Sequence, residues 1–187
     1  MIKDLHTLPA NLPVPVDDGA CDHLTGSALV SVSLTSTTGK VVDLSSYMGT
    51  LVIYFYPMLG RPDSPPLIGW NDIPGARGCT PQTCAFRDAH AELKQLGVEV
   101  FGVSAQPLED QQEAHARLLL PFALLNDRQL ALAQALKLPT FEYAGVRLIK
   151  RLTIIARGGL IRKVFYPVFP PDQNAHEVIA WLKAHQV

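Results

Sequence analysis

The run Thr50-Leu51-Val52-Ile53-Tyr54-Phe55-Tyr56 constrains the fold of this chain more than any other segment. After Thr50 every residue is aliphatic or aromatic, so a strand here has no face that belongs in water. Such strands lie in the middle of parallel sheets, with helices packed on both sides. Pro57 has no backbone N–H to give to a ladder and ends the strand. Downstream, Phe86, Ala89, Leu93 and Leu96 recur at helical spacing, Gly97 follows as a stop, and Val98 to Ser104 reads as the next strand. Strand, helix and strand in that order predict a right-handed parallel unit.

The rest of the chain can be built around that unit. Leu108 to Leu119 is predicted helical, Phe122 to Leu125 a short strand, and Arg128 to Leu138 a helix that stops at Pro139. Val146 to Ala156 and Leu160 to Val168 form an expected hairpin around Arg157-Gly158-Gly159. Asp172 is placed to cap a last helix with Ala175, Val178, Ile179 and Leu182 on its buried face. Ahead of the central strand, Ala28 to Leu34 and Lys40 to Leu44 flank Thr38-Gly39 as an N-terminal hairpin. The fold class is therefore α/β. A mixed central sheet with helices on both faces is a thioredoxin-like arrangement.

At 187 residues, with 48% hydrophobic and 18% charged residues, the chain is sized for one domain with a substantial core. Residues 1–25 carry Pro9, Pro13, Pro15 and Asp17-Asp18-Gly19 and are expected to be an irregular arm on the surface of a domain spanning 26–187. Residues 58–76 hold four prolines and three glycines without helical or strand period, and read as a long, functional loop. The net charge of −1 gives no general attraction for nucleic acid or an anionic membrane. The start lacks the long apolar stretch of a secretory signal and no apolar run is long enough to cross a membrane, so the expected compartment is the cytoplasm. In a reducing compartment the three cysteines are expected to be catalytic or inert rather than structural disulfides.

Two of them fall in Gly78-Cys79-Thr80-Pro81-Gln82-Thr83-Cys84-Ala85-Phe86-Arg87-Asp88, at the start of a predicted helix just beyond the carboxyl edge of the sheet. Ligands of open α/β sheets bind at that edge. Unpaired N–H groups and the positive end of the dipole stabilise a thiolate at a helix start, and Pro81 suits a first turn. Cys79 is therefore read as a nucleophile. The alternatives for the pair are two buried small hydrophobes or a zinc site. The C-x-x-x-x-C spacing has no second Cys or His pair at ligand spacing beside it, and the C-x-x-C of a disulfide reductase is absent.

The string GCTPQTCAFRD, behind a strand ending Phe55-Tyr56-Pro57, resembles the peroxiredoxins, and in particular the Q type or bacterioferritin-comigratory proteins. The resemblance extends from about Val30 onward, through Gly102-Val103-Ser104-Ala105, Leu120 to Asp127 and Thr153. It implies a thiol peroxidase in which Cys79 is the peroxidatic and Cys84 the resolving cysteine. Arg151, two residues before Thr153, is the counterpart of the family's active-site arginine, chosen among Arg147, Lys150, Arg151, Arg157, Arg162 and Lys163. Pro57 would shield the thiolate from water. Peroxide and a thioredoxin-like reductant are the implied partners, a monomer suffices, and no metal, haem or flavin cofactor is implied. Five residues apart in an intact helix, the two Cα atoms would be about 8.7 Å apart. A disulfide needs about 7 Å or less, so the helix start must unwind for the bond to close.

The family motif P-x-x-x-T-x-x-C is not kept. Ala76 stands where the threonine would be and Asp72 where the proline would be, so Pro57 aligns only with an insertion of about fifteen residues before Cys79. Thr80, a backbone amide or a group from the loop would have to replace the threonine hydroxyl. Trp70 and Ile68 are expected to anchor the loop, or else to wall the peroxide pocket. Cys21 reads as a bystander, and His90 and His115 as residues of solvated helix faces. Two other functions share these cysteines: a peroxide sensor or relay, marked by slow turnover and a stable client complex, and a binding module disabled by the missing threonine, marked by ordinary Cys79 reactivity.

Overall fold

Gly39, at a φ of 79°, turns the chain between β1 (Ser33–Ser36) and β2 (Val41–Asp43) in the computed structural model, which describes residues 4–65 and 67–185. The apolar run becomes β3 (Thr50–Phe55). The helix expected after the loop is two pieces, α1 (Cys79–Asp88) and α2 (His90–Gln95), joined at Ala89, and β4 (Val98–Ser104) follows. Next come α3 (Leu108–Arg117), β5 (Leu124–Asn126) and α4 (Ala131–Ala135), then β6 (Thr140–Tyr143) and β7 (Val146–Ile149). The chain closes with β8 (Leu152–Arg157), β9 (Leu160–Phe165) and α5 (Asn174–Ala184).

Seven strands form one mixed sheet in the order β2-β1-β5-β4-β3-β8-β9, with β3, β4 and β5 parallel and the outer pairings antiparallel. Strand alternation divides the core in two. Leu51, Ile53 and Phe55 face α4 and the segment carrying Cys21, Leu24 and Leu29. Val52, Tyr54 and Tyr56 face α1, α2, α3 and α5, with Tyr54 stacked on Phe86 at 4.6 Å. That stack needs a glycine next door: a β-carbon on Gly102 would stand 2.6 Å from the Tyr54 ring.

Several expectations are corrected. Val146 to Ala156 is not one strand. Its first half is β7, which pairs with β6 in a separate two-stranded sheet, and the chain then crosses at Lys150-Arg151 into β8. The helix expected over Arg128 to Leu138 shrinks to α4, with Leu130 and Lys137 at positive φ on either side. Asp172 does not cap α5; it lies in a short 3-10 turn, Pro171–Gln173, ahead of it. The arm is not simply superficial, because Leu5, Cys21 and Leu24 are buried. Within the loop, Trp70 is buried against Tyr143 and Phe141, whereas the Ile68 side chain is 91% exposed and only its carbonyl anchors, accepting from the Tyr143 hydroxyl. His90 is half-buried against Phe122, and burial lowers its pKa; His115 is also half-buried. No helix is long and apolar enough to cross a membrane among the described residues.

Candidate active site

Gly78 sets the entry to α1. It is the N-cap at a φ of 109°, a conformation that costs little only for glycine, and a β-carbon there would collide with Pro171 and approach Leu8. This turn delivers Cys79 as the first residue of α1, buried at 3% exposure beyond the end of β3. Its sulfur lies 3.6 Å from the Ala76 carbonyl. Above it is a cavity of about 400 Å³, lined by Met58, Leu67, Trp70, Arg77 and Thr80 and closed by residues of the arm. The loop thus walls the thiol as well as anchoring itself. Pro57 is buried, and its carbonyl accepts from the Ser104 hydroxyl at 2.9 Å; its neighbour Met58 contributes to the cavity lining.

The crossover between β7 and β8 brings Arg151 to the same place. Arg151 is 3% exposed, and its Nη2 donates to Cys79 Sγ at 3.2 Å. The remaining donors go to neutral groups: the carbonyls of Gly75, Ala76 and Arg77, and Gln82 Oε1. Of the six basic residues in this stretch, Arg151 is the one joined to the thiol, while Arg147 and Arg162 are exposed and Arg157 bonds Thr50. No carboxylate pairs with Arg151 among the described residues. A buried cation without a counter-charge is costly, and the one sulfur among its acceptors is that of Cys79.

Sequence reasoning overlooked the residues that hold the guanidinium. Gln82, one turn after Cys79, accepts from Arg151 and donates through Nε2 to Asn174 Oδ1 at 3.0 Å. Thr153 donates to the same Asn174 oxygen at 2.7 Å. A buried relay therefore joins α1, β8 and α5. A buried glutamine at i+3 from a candidate nucleophile was the available signal, but an amide alone does not advertise a partner ninety residues away.

Cys84 lies on the same unbroken helix but faces elsewhere. It is 9% exposed and opens on a second cleft lined by His6, Asp88, Glu92, Asp172 and His176. Burial pushes its pKa up, the nearby Arg87 opposing. His6 Nδ1 is 3.9 Å from its sulfur. All three cysteines are free thiols, and Cys21 is pushed up to about 12 by burial and by Asp18. The structure thus joins Cys79 to Arg151 and leaves Cys84 apart from them. No group of three or more His, Cys, Asp or Glu is placed to hold a metal ion among the described residues.

Comparison with known proteins gives this arrangement a family. The Redoxin family model matches residues 24–179. Peroxiredoxin Q of rice, a chloroplastic protein, is 28% identical over 160 residues, 85% of this chain; the match covers 66% of the rice protein, just under two thirds of its length. Among solved structures, the peroxidoxin BcpB of Mycobacterium tuberculosis superposes with a TM-score of 0.71 at 24% identity, covering 88% of this chain and 99% of that one. The bacterioferritin comigratory protein of Xanthomonas campestris gives 0.66 at 24% identity, covering 94% and 99%. The chain belongs to the Redoxin family, and the relatives it is similar to in sequence are peroxiredoxins of the Q type.

Proposed function

We propose that this protein is a thiol peroxidase that works through Cys79, Arg151 and Cys84. The observation that carries the reading is the buried, carboxylate-free Arg151 with its Nη2 on Cys79 Sγ. The Cys79 thiolate attacks one oxygen of the peroxide, the O–O bond breaks, and the other oxygen leaves as hydroxide or alkoxide and takes up a proton. Cys79 is left as a sulfenic acid. Arg151 balances the thiolate and the charge that develops on the leaving oxygen. Thr80, in the cavity wall, and the unpaired N–H groups of the first turn of α1 are the donors that stand in for the threonine missing at Ala76. Pro57 and the loop exclude water from the sulfur.

Cys84 then displaces hydroxide from the sulfenic sulfur, giving a Cys79–Cys84 disulfide and water. A thioredoxin-like dithiol reduces that disulfide by exchange. Because both cysteines lie on one chain, a monomer suffices, and a reducing compartment such as the cytoplasm would sustain the cycle. The arm and the 58–76 loop are additions to a single domain in this reading. A relay or a disabled scaffold draws no support from a site in which thiol and guanidinium are already in contact.

The test is peroxide-dependent NADPH oxidation coupled through thioredoxin and its reductase. Wild type is expected to turn over, and Cys79→Ser and Cys84→Ser to stop. Cys84→Ser should still consume one equivalent of peroxide and stop at the sulfenic acid. Full activity in Cys79→Ser, or no turnover in wild type, would overturn the assignment.

A further inference from the structure

A short stretch of the arm touches the surroundings of both active-site thiols. Asp4, Leu5, Thr7 and Pro9 line the Cys79 cavity, and His6 between them reaches Cys84. The contacts that hold the arm there converge on the residues just ahead of Cys79. Arg77 Nη2 donates to the carbonyls of Asp4 at 2.8 Å and Thr7 at 3.1 Å. Leu5 is 2% exposed and packs so closely on the loop that a β-carbon on Gly60 would be 2.8 Å from its Cδ2. Leu8 fills the space beside Gly78 in the same way. The Redoxin match begins at residue 24, after this segment.

The clasp is built to be broken. One guanidinium nitrogen makes both hydrogen bonds, while Arg77 Nε is buried without a partner among the described residues. Arg77 and Gly78 immediately precede Cys79, so the unwinding that brings the two sulfurs together displaces them. The arm contacts of Arg77 and Gly78 cannot survive that displacement, and neither can the contact between His6 and Cys84.

We propose that Arg77 is a positioning residue for the resolving step: by clasping the arm at Asp4 and Thr7 it keeps the start of α1 wound, and the arm must let go before Cys84 reaches the Cys79 sulfenic acid. This rests on the peroxidase reading. The clasp sets how long the sulfenic acid waits. While it waits, a second peroxide can transfer an oxygen to it, giving a sulfinic acid and water or an alcohol.

The 187-residue protein, arm included, would be given a pulse of hydrogen peroxide, quenched with an alkylating agent at intervals, and its thiol, sulfenic, disulfide and sulfinic forms counted by mass spectrometry. Disulfide formation is first-order and independent of peroxide, so it is read separately from the attack step. Arg77→Ala and Leu5→Ala, which open the clasp from opposite sides, are each expected to speed it by about tenfold, the scale of a hydrogen bond to a charged donor. Both should accumulate less sulfinic acid at high peroxide, and Arg77→Lys should fall between wild type and Arg77→Ala. An unchanged or slower disulfide phase in either alanine variant overturns the proposal while leaving the peroxidase reading intact. Absence of sulfenic acid, disulfide and sulfinic acid alike in peroxide-treated wild type removes the peroxidase reading and this proposal with it.

Discussion

Arg151 shows how much a single side chain can carry when its surroundings are neutral. Five acceptors surround the guanidinium, four of them uncharged oxygens and one the sulfur of Cys79. Lysine offers a point charge and fewer donors, and cannot reproduce that fork. Arg151→Ala is expected to lower the second-order rate with peroxide by about a hundredfold, and Arg151→Lys to recover only part of it. Stopped-flow measurement of sulfenic acid formation checks both. The sequence named Arg151 through the family resemblance, because strand alternation gave no reason to prefer it over Lys150. Its partner Gln82, and Asn174 behind Gln82, were not legible, since what selects them is the approach of three separate elements around one cation.

At the scale of elements, α1 is where chemistry and folding meet. Cys79 is its first residue and Cys84 its sixth, and the helix is continuous between them. Cα atoms about 8.7 Å apart on an intact helix are beyond disulfide reach, so the proposed Cys79–Cys84 disulfide requires the start of α1 to unwind. Conversion of the dithiol to the disulfide is expected to lose far-UV helical signal equal to roughly one to two turns, restored by dithiothreitol; unchanged ellipticity would mean that the bond closes without unwinding. Periodicity located β3, β4 and the first part of this helix well, because each buries a regular face. It failed at β6 and β7, whose small sheet packs on Trp70 of the loop, a partner that period alone does not reveal, with Ile149 of β7 reaching the main core. It also overran α4, where the backbone at Leu130 and Lys137 takes left-handed values that no residue type announced.

At the scale of the whole molecule, burial raises the pKa of several acidic side chains among the described residues, two thiols and two core tyrosines among them. Cys84, Tyr54 and Tyr56 are raised chiefly by desolvation, and Cys21 is raised to about 12 for the same reason. A raised folded-state pKa means that the native state holds protons which the unfolded chain releases. Stability is therefore fully present below the thiol pKa of an unfolded chain, about 8.5, and falls as pH rises through that value and then through about 10 for tyrosine. The urea midpoint of the reduced protein is expected to drop steadily between pH 8 and pH 10.5, values set around those two unfolded-chain figures of about 8.5 and about 10. A flat profile would show that these groups titrate normally in the fold. The sequence by itself determined the α/β class, the central strand and the helix start that carries Cys79, because apolar period, proline and glycine act locally. Only the tertiary structure decided that Arg151 rather than its neighbours meets the thiol, that the two cysteines open on different clefts, and that the arm lies over both. Those are contacts between segments far apart in sequence, fixed by packing rather than by any residue's own preference.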